Sequence, residues 1–368
     1  MTKEKVNSIH YLRGIAALMV VFYHLKARLN DVYAQENLGD LLFNSGAFGV
    51  DLFFVISGFI ICYATDRKDK NMAAKYLVSR FFRIYPLLWL SVIITFFTIS
   101  VEPTIYSLLR SLVPLNANYS AGSPFFGYNL LGPAWTLTYE ISFYMIFLMS
   151  FIISHKYRWL ISSCVIAILV FGIQEWQSGS ITILAYNNNS FADGSFLHAP
   201  LTFLSSPIFI DFIYGILIFK IYSIVKKIKV SNNASYLLGV LSVFVFLITS
   251  ILILSAQVYG HGPTLWGACS AVLVLSALTF EIFGKIKENK VLNTLGDMSY
   301  SIYLTHAIVI EILCNNDYFF NLFNFGKGVS SVIYLLTVSL FVAYASFRLI
   351  ETPCILLGRK VNRLIDGK

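Results

Sequence analysis

Long apolar stretches separated by short polar ones recur from one end of the chain to the other. Runs long enough to cross about 30 Å of hydrocarbon fall near residues 9–27, 47–64, 84–101, 133–152, 159–173, 203–225, 235–255, 262–282, 299–315 and 329–349. The pattern predicts an all-α, polytopic membrane protein with about ten transmembrane helices; the run at 159–173 is short for a full crossing. Threading the chain through these segments puts twenty Lys and Arg on the side of the N-terminus and four (Lys26, Arg28, Arg110, Lys327) on the other. Such an imbalance places the rich side, with both termini, in the cytoplasm.

Composition agrees with this pattern. Hydrophobic residues make up 57% of the chain, charged residues 12%, and mean hydropathy is +0.71, values foreign to a soluble protein of 368 residues. The net charge of +8 follows from the topology. No basic run interleaved with stacking aromatics occurs in a soluble domain, so no nucleic-acid partner is expected. Cys62, Cys164, Cys269, Cys314 and Cys354 show neither metal-ligand spacing nor a C-x-x-C pair, and no metal is expected. Lys3 and Lys5 before the first apolar run imitate a signal peptide. A small-residue cleavage site is missing, and the first helix is expected to be retained. Residues 1–368 read as a single membrane domain, with 354–368 as a basic cytoplasmic tail, and no internal repeat stands out.

Against this background the ionisable residues inside apolar segments demand a reason, each costing roughly 2.5–3.5 kcal/mol to insert. Arg13 and His24 lie eleven residues apart in the first segment, almost three turns, so they share one helix face about 16 Å apart. Ala16, Ala17 and Val20 lie between them, and the stripe reads as the wall of a narrow passage. His24 and Asp51 both lie about 5 Å below the outer end of their helices, and Glu140 about 10 Å down its own. A carboxylate bonded to one imidazole nitrogen makes the other a better base, which suits removal of a hydroxyl proton. Taken singly, Asp51 and Glu140 are equally well read as interfacial groups that hold the bundle together.

Near the inner end, Arg80 and Arg83 stand with Arg13, and a guanidinium's paired planar donors match phosphate. Ordinary positive-inside anchoring explains Arg80 and Arg83 as well. Arg348 and Glu351, three residues apart, are expected to pair with one another. His306 reads as a hydrogen-bonded bundle histidine, and Asp211 is open to either reading. The loops 102–132 (LNANYSAGSPFFGYN) and 174–202 (with Tyr186 to Ser190) carry Asn and aromatics that suit carbohydrate, although plain loop chemistry accounts for them too.

Six fragments, namely Arg13-x10-His24, GVDLFFVISGFII at 49–61, SRFFRIYP at 79–86, WTLTYEISFY at 135–144, SYSIYLTH at 299–306 and RLIETP at 348–353, follow the order seen in the membrane acyltransferase-3 family. The chain resembles that family over nearly its whole length. The resemblance implies a ten-helix domain in the bacterial plasma (inner) membrane that O-acylates sugars of surface or exported polysaccharides from cytoplasmic acyl-CoA, with acetyl-CoA the family default. It implies His24 as catalytic base with Arg13 as its functional partner, Arg80 and Arg83 as donor-binding residues, and Glu140 as part of the active centre. Asp51 or Glu140 is expected to orient His24, which serves as base or carries the acyl group covalently.

Where many members have two adjacent acids in the fourth helix, Tyr139 precedes Glu140 here, which resembles the branch acting on exopolysaccharides. No extracytoplasmic SGNH-type domain follows the last helix, so the membrane domain or a partner is expected to complete the transfer. Expected partners are a carbohydrate acceptor, membrane lipid and polysaccharide-assembly machinery. The alternatives are a transporter or flippase of a lipid-linked saccharide, and a non-catalytic scaffold.

Overall fold

The computed structural model describes residues 5–99, 102–186, 197–284, 286–314 and 326–367. Among them every regular element is helical. Nine helices are long and apolar enough to cross a membrane, and Ser299–Cys314 is a shorter apolar helix that makes a tenth. They are α1 (Asn7–Leu25), α3 (Gly49–Ala64), α4 (Met72–Thr98), α6 (Trp135–Ile153), α7 (Arg158–Ser178), α9 (Ile210–Val225), α10 (Asn232–Leu254), α11 (Trp266–Gly284), α13 (Ser299–Cys314) and α14 (Val329–Ser346). Short helices α2 (Leu38–Phe43), α5 (Ile105–Leu112), α8 (His198–Leu204) and α12 (Lys290–Asp297) lie in the connections, and α15 (Thr352–Ile365) follows α14.

Three boundaries differ from the hydropathy pattern. α4 begins at Met72, well before the expected 84, and carries Pro86 inside it. Its first turns bear Lys75, Arg80 and Arg83, charges that lower the local hydropathy without breaking a helix. α7 reaches full crossing length at 21 residues by continuing through a π-helical stretch at Ile168–Gly172. The expected tail from 354 is instead the helix α15, reached through a second π-helical stretch at Phe347–Glu351. Pro353 follows directly on the π-helical stretch. The polar run at 187–190 lies outside the described residues.

Alternating helix directions give the bundle two faces. The terminal face gathers the start of α1, the turns at 65–71, 154–157 and 226–231, the helix α12 and the end of α15. The distal face gathers residues 26–48, 102–132, 179–186, 197–206 and 255–265. Packing is closest between α3 and α9. A Cβ on Gly58 would stand 2.2 Å from the Phe212 carbonyl oxygen, and one on Gly215 1.9 Å from that of Val55. Small residues let membrane helices touch backbone to backbone in this way. Phe143 stacks on Phe212 and Phe54 lies tilted against it, at 4.3 and 4.8 Å between ring centroids, and both fill the space beside that contact.

Candidate functional site

A cavity of ≈ 290 Å³ opens between α1, α3, α4, α6, α13 and α15. Arg13, Arg80 and Arg83 all line it, together with Glu140, Tyr144, Tyr300, Tyr303 and Arg359. The early start of α4 is what makes this possible, because Arg80 and Arg83 then lie three apart on one helical face. Arg80 is held by aromatic rings, its guanidinium 4.8 Å from the Tyr144 centroid and 5.6 Å from that of Tyr76. Its Nη1 donates to the Tyr144 hydroxyl (3.4 Å), and that hydroxyl donates to Glu140 Oε1. Ser57 Oγ donates to the same carboxylate oxygen at 3.3 Å.

No hydrogen bond or ion pair joins Arg13 or Arg83 to any other described residue. Four guanidiniums, of Arg13, Arg80, Arg83 and Arg359, surround one small cavity and make an anion site of the kind that phosphate fills.

His24 ends α1 near the distal face and is exposed. Its Nδ1 lies 2.8 Å from the carbonyl oxygen of Val20, one turn back. An imidazole nitrogen facing a carbonyl must carry the proton, so Nε2 keeps its lone pair. The expected carboxylate partner is absent. His306 takes that place, fully buried, with Nε2 3.3 Å from His24 Nδ1 and its own Nδ1 3.1 Å from the Ile302 oxygen. His24 does not line the cavity. Tyr303 lines the cavity on the side of the histidines, its hydroxyl bonding Thr136 Oγ1 (2.8 Å) and the Pro133 oxygen (3.0 Å) and its ring 6.2 Å from that of His306.

Two further expectations about α1 and α14 change. Ala16, Ala17 and Val20 are buried in packing against neighbouring helices, so the stripe between Arg13 and His24 does not wall a passage. Arg348 and Glu351 do not pair, because the π-helical stretch rotates one away from the other. Glu351 is buried and accepts from Ser301 Oγ at 2.6 Å, while Arg348 is exposed.

Asp51 belongs to a different cluster. It is fully buried, with Oδ2 2.6 Å from His261 Nδ1 and Oδ1 accepting from the Gly262 N–H at 2.7 Å. His261, in the GHGP turn at 260–263, had no helical periodicity to mark it. Asp211 is also fully buried and closes against Gly267, whose Cβ would meet its Oδ1 at 2.1 Å. Tyr139 turns away from Glu140 and donates to the Pro124 oxygen (2.8 Å) and Ser206 Oγ (3.0 Å), bracing two distal loops. Among the described residues no group of His, Cys, Asp and Glu has the arrangement of a metal site.

With this geometry in hand, the chain was compared with known proteins. A family profile described as an acyltransferase domain matches residues 6–348. The chain is 25% identical over 335 residues to the exopolysaccharide production protein ExoZ of Rhizobium meliloti, a match covering 89% of this chain and 95% of that protein. It is 23% identical over 389 residues to the peptidoglycan O-acetyltransferase OatA of Listeria monocytogenes, covering 96% of this chain and 56% of that one. With the O-acetyltransferase OatA of Staphylococcus aureus it shares 24% identity over 402 residues, 99% of this chain and 60% of that one. The chain thus spans less than two thirds of either OatA protein. No solved structure matches it.

Proposed function

The chain belongs to the membrane acyltransferase family whose profile covers residues 6–348, and from that membership we propose that it O-acetylates a sugar of an exported or surface polysaccharide. The donor is acetyl-CoA, taken from the terminal face, which lies in the cytoplasm of a bacterial plasma membrane. The acceptor saccharide arrives at the distal face. The names of the relatives point the same way, two being O-acetyltransferases and one an exopolysaccharide production protein.

The observation that carries this reading is the arginine-lined cavity lying below a histidine with a free Nε2. Arg13, Arg80 and Arg83 hold the phosphates of the donor, and its thioester arm extends past Tyr303 towards His24. Tyr144, bridging Arg80 and Glu140, fixes the orientation of the Arg80 fork. His24 Nε2 takes the proton of the acceptor hydroxyl as its oxygen attacks the thioester carbonyl. The tetrahedral adduct then expels the CoA thiolate, which recovers that proton from His24, so that alcohol and thioester leave as ester and thiol. A covalent acyl-His24 would use the same nitrogen. Polysaccharide-assembly machinery supplies the acceptor.

The test is mass spectrometry of ester-linked acyl groups on the host's surface and secreted glycans. Wild type, a deletion and His24→Ala are compared at matched protein level. Loss of one acyl mass in both mutants is expected. A His24→Ala strain that acylates at the wild-type rate rejects the assignment of His24.

A further inference from the structure

The cavity and His24 leave unused a second histidine held by a carboxylate. His261 is 5% exposed, its Nδ1 lies 2.6 Å from Asp51 Oδ2, and Asp51 is anchored in turn by the Gly262 N–H. The proton between a histidine and an ionised carboxylate belongs on the imidazole, so Nε2 is left as an acceptor. That nitrogen has no hydrogen-bond partner among the described residues. Beside the pair, Asp211 is fully buried and faces the Asp51 carboxyl group. A histidine held rigidly by a buried carboxylate, with its second nitrogen open, is a ready acceptor for a ligand hydroxyl.

The surroundings indicate the chemistry. Trp266, Phe125 and Trp135 stand edge-on to the imidazole at 5.0, 5.7 and 5.9 Å between centroids and fix its plane. Beyond them, Tyr128, Tyr186 and Tyr259 are 57%, 53% and 48% exposed at the distal face. Partial burial and the nearby Asp51 charge push the Tyr186 phenol up to about 12, so its hydroxyl keeps its proton at physiological pH. Exposed aromatic rings around a rigid hydrogen-bond acceptor match a saccharide, which offers C–H faces for stacking and hydroxyls for donation. A purely structural lock explains the Asp51 bond but not the open Nε2 or the exposed rings.

We propose that His261, backed by Asp51 and flanked by Tyr186 and Tyr259, is the acceptor-saccharide subsite of this protein, with Nε2 accepting a hydrogen bond from a sugar hydroxyl. The inference deepens the acyltransferase reading and rests on it for the class of ligand. The subsite binds the acceptor, and no bond is made or broken there.

The test uses the full chain, purified in detergent or nanodiscs. The probe is the host's own exopolysaccharide, freed of esters by mild base and cut to oligosaccharides. Binding is followed by tryptophan fluorescence, since Trp135 and Trp266 flank His261, and transfer is followed with labelled acetyl-CoA. His261→Gln is expected to raise KM for the oligosaccharide about tenfold, the cost of roughly one hydrogen bond, with CoA affinity unchanged. Tyr186→Ala, at an exposed position, is expected to weaken oligosaccharide binding while the protein stays folded. Unchanged KM and unchanged fluorescence titrations in both variants overturn the subsite. Binding that depends on His261 without any transfer by wild type would support the subsite and reject the acyltransferase reading.

Discussion

An imidazole that donates through Nδ1 to a carbonyl one turn back keeps Nε2 as a base, and Val20 holds His24 in that state. Removing a general base of this kind lowers a rate by roughly 10²–10⁴-fold, and His24→Ala is expected to fall in that range when acyl transfer is measured with acetyl-CoA. Arg83 belongs to binding instead: with no protein counter-ion to release, Arg83→Gln is expected to raise KM for acetyl-CoA about tenfold and leave kcat within a few-fold, as loss of one charge-assisted contact does. Equal loss of both kinetic terms would move Arg83 into the chemistry. At this scale the sequence was informative about residues near the ends of known helices. Arg13, Arg80 and Arg83 share a cavity as their depths suggested, whereas Glu140, placed by depth in the outer layer beside His24, joins the arginines instead. The partners were not legible. His24 meets His306 across 282 residues and Asp51 meets His261 across 210, and periodicity within one helix carries no information about which helices are neighbours.

Among the helices, α3 and α9 depend most on two positions without side chains. A Cβ at Gly215 would press into the backbone of Val55, which cannot move without separating the helices. Overpacking typically costs about 1–3 kcal/mol, and Gly215→Val is expected to lower thermal stability in detergent visibly, whereas Gly132→Ala, with nothing near its Cβ, is not. α13 contributes a different device. Tyr303, tied to Thr136 and the Pro133 oxygen, lines the arginine cavity within 6.2 Å of the His306 ring. Tyr303→Ala widens the cavity towards the histidines and is expected to raise acetyl-CoA hydrolysis without acceptor; a hydrolysis rate unchanged from wild type would mean that the thioester reaches His24 by another route. Hydropathy located the membrane helices because burial in lipid is a property of composition. It missed the first turns of α4 and the whole of α15 because these are amphipathic, charged towards the cavity and the terminal face.

Over the whole molecule the proposed direction of transfer rests on the charge asymmetry between the two faces. Cysteine substitutions at Lys229 and Gln35, on opposite faces, give a direct check with a membrane-impermeant maleimide. Gln35→Cys is expected to react in intact spheroplasts and Lys229→Cys only after lysis; the opposite result would invert the proposed direction of transfer. The same face carries α15, whose Ile355, Gly358 and Arg359 form part of the arginine cavity. Asn71 holds it at the Ile365 carbonyl (3.0 Å), Asn362 bonds Ser79 (2.9 Å), and Lys75 pairs with Asp366. These residues are the last of the cavity's lining to leave the ribosome. Throughout translation and insertion the arginines therefore face an unfinished pocket, and a nascent chain is expected to ignore acetyl-CoA until α15 has folded back onto α4.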